Sequence, residues 1–357
     1  MSSSKVNFGV QIRVGPISDI VEQSILCEKL NFDSIWYPDH FIGGNPAYMW
    51  PELITSLTMM GINTSKVTIG SAATDALKRH PATIAQSFAT LDHIVGGRIA
   101  LGIGAGEAMN LIPFGISMTN LYTKLKEAIQ VVKLLWEADF GKPASFEGRF
   151  YRLTNAFLQV KPVMKPRLPI YVGAFEPKML ELTGELADGW MPFSHTPETY
   201  AKYLYGPMKS AAKRASRSLS EIDPALLPAT SISKDHDKAK EGIERAAKRF
   251  LVLLPRILGE VVPKVKHPGP GYTLAYWKGR VGKEDFKTIS EIAEEIPSEV
   301  ALKTVIWGTP DDCIGQVEDF IKAGCRHIIF GIRGDFREAI SLLGNGVIPY
   351  FRGKEKK

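Results

Sequence analysis

Cysteine is scarce in this chain: three in 357 residues, Cys27, Cys313 and Cys325, with no CxxC pair. An odd and dispersed set builds neither a disulfide framework nor a zinc site, and reads as reduced thiols in a core. No apolar run reaches bilayer-crossing length, and Met1-Ser-Ser-Ser-Lys5 leads into a strand-like segment without a signal-peptide core. A cytoplasmic protein with no membrane span is expected. None of the seven histidines falls in HExxH or a comparable ligand spacing, so no metal is expected. GxSxG is missing too, as is any reactive-cysteine context, which sets acyl transfer aside. Lys and Arg exceed Asp and Glu by 44 to 38, for a net charge of +6. The basic residues are nevertheless scattered, their one cluster (Arg352 to Lys357) is terminal, and no aromatic-interleaved basic stripe suggests nucleic acid.

What is present is a globular composition, 45% hydrophobic and 23% charged, organised around the stretch from Arg98 to Asn110. Ile99, Leu101 and Ile103 form a buried strand. Gly102, Gly104 and Gly106 remove the side chain from alternate positions, so a planar ligand or another backbone can come close. Glu107 and Asn110 follow where the glycines stop.

The same strand-then-helix rhythm runs through the chain. Strands are predicted at 6–12, 33–38, 66–74, 98–104, 168–173, 189–193, 226–232 and 326–332. Helices are predicted at 17–30, from about Pro51, at 81–95, 122–136 and 177–186, and after the Thr309-Pro310 cap. Eight such units without a compositional break predict one (β/α)8 TIM barrel over 1–357, with insertions at about 141–158 (a hairpin) and 258–297. An open doubly wound sheet fits less well, because the glycines read G-x-G-x-G at the fourth strand rather than G-x-G-x-x-G at the first. The second insertion is rich in Pro and Gly and carries Tyr272, Tyr276 and Trp277. Its length predicts a cover over the active face.

In a barrel the strand ends converge on one mouth. Those ends are Gln11 and Arg13, Asp39 and His40, Ala72 to Asp75, Glu107 and Asn110, Gly173 to Glu176, and Ser194 to Thr196. His40 and Glu107 are the candidates for proton handling, since imidazole titrates near neutrality and a nearby carboxylate sets its tautomer. His80 reads as a helix-start residue, His93 as structural, and His195 as a possible substrate contact.

Asp39-His40-Phe41, Gly70 to Asp75, Arg79 to Gln86 with Ala89 to Leu91, Gly102 to Asn110, and Trp307 to Asp312 together resemble the luciferase-like (β/α)8 oxidoreductases. Within them the pattern is similar to the branch that uses the deazaflavin coenzyme F420, which includes phthiodiolone ketoreductases, F420-dependent glucose-6-phosphate dehydrogenases and methylenetetrahydromethanopterin reductases. The resemblance implies hydride transfer to or from a carbonyl, an alcohol or a pterin-like small molecule, with His40 and Glu107 catalytic. It implies that Asp39 contacts the ring, that Ala72, Ala73 and Thr74 lie behind it with a cis bond at Ala72–Ala73, and that Gly104, Ala105 and Asn110 cradle it. Gly173 and Ala174 would hold the coenzyme's phosphate, and the chain would be a homodimer packed through the helices after the second and third strands. Where sugar-phosphate dehydrogenases carry a tryptophan, a lysine and an arginine, this chain has Gly44, Thr196 and Lys303. Glucose 6-phosphate is therefore not the expected substrate. Phe175-Glu176 also replaces the usual small pair after the fifth strand. Two other readings remain open at this point: an FMN-dependent monooxygenase on the same fold, and a cofactor-binding protein without turnover.

Overall fold

The computed structural model describes residues 5–43, 47–278 and 283–355. Gly44 and residues 279–282 of the second insertion lie outside that range. Eight parallel strands form a closed ring: β1 (Asn7–Gln11), β2 (Ser34–Tyr37), β3 (Thr68–Ser71), β4 (Ile99–Gly104), β5 (Ile170–Val172), β6 (Gly189–Trp190), β7 (Asp223–Leu226) and β8 (His327–Ile332). β8 pairs back onto β1 in the register Val10 to Phe330, which closes the barrel. The seventh strand differs from the sequence expectation. It starts at Asp223, is interrupted after Leu226, and resumes as Ala229–Ile232 against β8 and a short strand, Ile306–Gly308. Pro228 falls in the interruption and has no N–H to give a ladder.

The helices pack outside, and their ends follow local chemistry. α1 (Ile17–Lys29) and α2 (Leu53–Ile62) follow β1 and β2. α3 (Pro81–Val95) starts at His80, whose ring nitrogen accepts the Ala82 N–H, and stops at Gly96 with φ +63°. α4 (Leu121–Glu137) and α5 (Pro177–Leu186) follow β4 and β5. α6 (Pro197–Tyr203) and α7 (Pro310–Lys322) each begin with a capping box, at Thr196 and Thr309.

Strand alternation separates two cores. Trp36, Ala100, Met191, Ala225, Leu227 and Ile329 fill the barrel interior, while Phe8, Val10, Ile35, Ile69, Leu101 and Ile103 face the helices. Each such buried side chain contributes about 1.5–3 kcal/mol.

At the barrel's base a hydrogen-bond chain ties four strands. Trp36 Nε1–H donates to Ser34 Oγ (2.9 Å), Ser34 Oγ lies 2.8 Å from His327 Nε2, and His327 Nδ1 lies 2.9 Å from Asp223 Oδ2, which also accepts from Tyr171 OH at 2.8 Å. Burial would raise the Asp223 carboxyl, but His327 and these hydrogen bonds outweigh it and hold the group below the ordinary aspartate range. An ionised Asp223 can only accept, so Nδ1 carries a proton towards it. The order Ser–His–Asp is that of a nucleophilic triad. Here, however, it sits at the strand starts, opposite the mouth, with the serine oxygen already engaged by Trp36, so it braces the base.

The first insertion is a hairpin, Ala144–Glu147 with Arg152–Ala156. Its turn is gripped by Glu127 of α4, which accepts the N–H groups of Arg149, Phe150 and Tyr151. The second begins within helix Pro255–Val261 and contains helix Lys283–Glu294. It reaches the mouth where the Ala275 carbonyl accepts the Ala108 N–H at 2.7 Å.

Candidate active site

The three glycines of β4 and its loop have three different jobs. A Cβ on Gly102 would lie 1.8 Å from the Ser71 carbonyl oxygen, so β3 and β4 can lie this close only at a glycine. Ser71 Oγ confirms the contact, bonding both the Gly102 N–H and its carbonyl at 2.9 and 2.8 Å. Gly106 has φ +87°, the left-handed region that favours glycine. A Cβ on Gly104 would meet only the Ala73 Cβ, at 3.9 Å. Gly104 and Ala73 thus form an open floor, beside an Ala72–Ala73 peptide that is cis.

The ends of β2 and β4 bring the two residues expected to handle protons together. His40 Nε2 and Glu107 Oε2 are 3.4 Å apart, both partly exposed. The imidazole lies flat on the Trp50 indole, with centroids 4.8 Å apart and planes at 18°. Sequence reasoning missed Trp50. The signal was Gly43, where a Cβ would sit 2.0 Å from the Trp50 ring, but a loop glycine does not say which side chain needs the room. His40 Nδ1 and Trp50 Nε1 are buried and have no partner among the described residues.

Asp39 is placed beneath this pair and is 5% exposed. Its Oδ2 receives the Thr74 hydroxyl (2.7 Å), the Lys78 ammonium (3.3 Å) and the Arg79 guanidinium. Lys78 also reaches Asp75 (3.0 Å), and Arg79 reaches Glu52 (2.6 Å). With so many donors Asp39 fixes the loop that carries His40. Asn110 does the same from the other side: its Oδ1 accepts the Phe41 and Ile42 N–H groups at 2.8 and 3.1 Å. Its Nδ2 is buried and unpaired among the described residues, a donor left for a ligand.

The remaining positions spread around the rim. Ala105 follows the open floor and is partly buried. Gly173 is open enough that a Cβ would meet only the Met191 carbonyl, at 3.5 Å, whereas Ala174 is buried and its carbonyl accepts Trp190 Nε1–H. α5 begins three residues later with no side-chain cap, leaving its first N–H groups for an anion. His195 is not at the surface of the site. It is fully buried against Phe175, Trp190 and Tyr203, hydrogen-bonded to Thr199, and burial lowers its pKa to about 3. Thr196 is a buried helix cap and Lys303 is exposed in a short 3-10 helix, Leu302–Thr304. Of the insertion's aromatics, Tyr272 and Trp277 pack on the core and Tyr276 is exposed. Phe41, Met49, Ile112 and Phe114 are exposed on the loops after β2 and β4, with Phe41 and Phe114 in ring contact at 4.6 Å. Among the described residues no group of three or more acidic, histidine or cysteine side chains is placed to hold a metal.

Comparison with known proteins agrees with this fold. The model of the family described as luciferase-like monooxygenase matches residues 3–327. An F420-dependent glucose-6-phosphate dehydrogenase of Nakamurella multipartita is 28% identical, over 99% of this chain and 98% of its own. A 5,10-methylenetetrahydromethanopterin reductase of Methanopyrus kandleri is 28% identical, over 98% and 99%. Among solved structures, an F420-dependent secondary alcohol dehydrogenase in complex with an F420-acetone adduct superposes with a TM-score of 0.80 at 28% identity, covering 98% of this chain and 100% of that one.

Proposed function

The chain belongs to the luciferase-like monooxygenase family, and we propose that within it the protein is a coenzyme F420-dependent oxidoreductase acting on a carbonyl or alcohol carbon of a small molecule. One observation carries the reading: His40 and Glu107 meet at 3.4 Å beside the open floor of Gly104 and Ala73. The residues suit the deazaflavin. A methyl on Gly104 would fill the floor, and the buried amide of Asn110 has a donor to give. F420, when bound, supplies or accepts the hydride at C5.

The protein's own part is orientation and proton handling. In the reducing direction a protonated His40 donates to the carbonyl oxygen as it becomes an alkoxide, and Glu107 stabilises the imidazolium. In the oxidising direction neutral His40 takes the hydroxyl proton. Trp50 holds the imidazole plane, and Asp39 acts through Thr74, Lys78 and Arg79 as a positioning residue rather than by touching the ring. Thr74, Ala72 and Ala73 line the floor, Ala105 and Asn110 close its edge, and Gly173 with the residues leading into α5 takes the phosphate. The exposed apolar rim of Phe41, Met49, Ile112 and Phe114 suits a substrate with an apolar body.

Parallel titration of the purified protein with F420 and with FMN tests the cofactor. F420 should bind in the micromolar range or tighter. Preference for FMN would move the reading to oxygen chemistry, and binding without any redox turnover would leave a cofactor carrier.

We further infer a homodimer through α2 and α3, where Ile62 and Ile94 are exposed, and action in the cytoplasm. Among the described residues no helix is long and apolar enough to cross a membrane. Light scattering that gave a monomer mass would refute the dimer.

A further inference from the structure

The β1–β8 seam, across the mouth from the β3–β4 floor, carries two arginines that no carboxylate answers among the described residues. β1 and β8 pair at Val10 and Phe330, and Arg13 and Arg333 each lie three residues beyond that rung. Alternation places both on the inward side. A Cβ on Gly9 would face Ser34, His327 and Ile329, and Ile329 belongs to the barrel-interior cluster, so 9, 11, 13 and 327, 329, 331, 333 share that face. Gln11 of the same set reaches across to the Ala72 carbonyl (3.4 Å).

The two head groups gather with one phenol. Arg13 donates to the Gly334 carbonyl at 2.8 Å and to the Tyr48 hydroxyl, and its guanidinium lies over the Tyr48 ring at 5.1 Å. Arg333 lies over the Phe250 ring at 5.3 Å. The residue is exposed overall, with its guanidinium set among protein groups. That crowding, with the like charge of Arg13, pushes its guanidinium below the ordinary arginine range against the opposing pull of Tyr48. Neither arginine forms a salt bridge among the described residues, whereas the Arg79 guanidinium is paired with Asp39 and Glu52. Two like charges held together at the barrel mouth favour an oxyanion between them, and guanidinium forks bind carboxylate or phosphate well.

The geometry points to Arg13 and Arg333 as an anion subsite for the substrate: the carbonyl or alcohol compound carries a carboxylate or phosphate, held at the β1–β8 seam while its reacting carbon lies at His40. The inference rests on the oxidoreductase reading for the reacting end, and on the two arginines alone for the anion. An apolar rim with a cationic seam then fits an oxo acid with an alkyl or aryl body better than a neutral ketone.

The test measures binding apart from turnover. Calorimetry on the F420-loaded protein compares 2-, 4- and 5-oxohexanoate with neutral 2-hexanone, and glucose 6-phosphate with glucose, in wild type and in Arg13→Met and Arg333→Met. An anion should bind at least about tenfold tighter than its neutral counterpart, and either variant should erase that preference while F420 affinity stays within about twofold. The arm that responds tells carboxylate from phosphate. Equal binding of anions and neutral counterparts in the wild type, or a preference that survives both substitutions, would overturn the inference. So would a loss of F420 affinity alone, which would give the arginines to the coenzyme's anionic tail. Oxidation of reduced F420 by the compound that binds reports separately on hydride transfer, so absence of turnover with intact anion preference counts only against the oxidoreductase reading.

Discussion

Two glycines two residues apart in β4 should respond in opposite ways to the same added methyl group. In Gly102→Ala the Cβ would lie 1.8 Å from the Ser71 carbonyl oxygen and 2.9 Å from its carbon. Those are backbone atoms of a neighbouring barrel strand and cannot rotate away, so β3 and β4 must separate. Overpacking of this kind costs about 3 kcal/mol. An unfolding entropy of about 2.1 cal/mol/K per residue, applied to 357 residues, converts that to a Tm loss of about 4 °C. In Gly104→Ala the Cβ meets only Ala73, at 3.9 Å. The restricted unfolded chain then offsets any small cost, and Tm should hold or rise by about 1 °C. The same methyl stands on the open floor, so F420 affinity should fall by about tenfold or more. Thermal unfolding followed by circular dichroism, with a fluorescence titration of F420 on each variant, measures both. An unchanged Tm for Gly102→Ala would refute the close-approach argument, and native F420 affinity in Gly104→Ala would remove the floor from the site.

His40→Ala should leave F420 affinity within a few-fold and lower turnover by about 100-fold or more; steady-state kinetics with native kcat would end its role as proton handler. Trp50→Ala frees the imidazole from its stack, and should lower kcat by about tenfold and shift the pH profile with little change in Tm; a profile identical to wild type would show that the stack does not position His40. Asp39→Asn leaves Lys78 and Arg79 short of a buried counter-charge, costing about 3 kcal/mol, visible in a denaturant titration as a lower midpoint. His195 is buried neutral with its pKa lowered to about 3, against about 6.5 in the unfolded chain. The unfolded state therefore binds the extra proton, and stability should fall by up to about 1.4 kcal/mol per pH unit as pH drops from about 6.5 towards 3. His195→Asn should flatten that slope, and an unchanged slope would assign the acid sensitivity elsewhere.

Local chemistry made much of the fold legible in advance. Pro81 with Gly96 bounded α3 because proline suits a first turn and glycine a left-handed stop, and Thr309-Pro310 opened α7 for the same reason. The seventh strand was displaced because its pairing depends on Asp223 meeting β6 and β8 across long sequence separations, which no local pattern encodes. Of the site, Asp39, His40, Glu107 and Asn110 stood out as polar groups at strand ends. Their division of labour did not: Asn110 and Asp39 spend acceptor atoms on the protein itself, and His195 is buried in the aromatic core rather than facing the mouth.

By itself the sequence determined the barrel, most of its strand ends and the glycine run, because periodicity, caps and turn residues act within a few residues of where they stand. Only the tertiary structure decided which glycine admits a backbone and which leaves open space, that Trp50 lies on His40, and that Arg13 and Arg333, from opposite ends of the chain, lie just beyond the same β1–β8 rung. Those are contacts between segments brought together by closing the ring. Their energies depend on distances that sequence spacing does not contain.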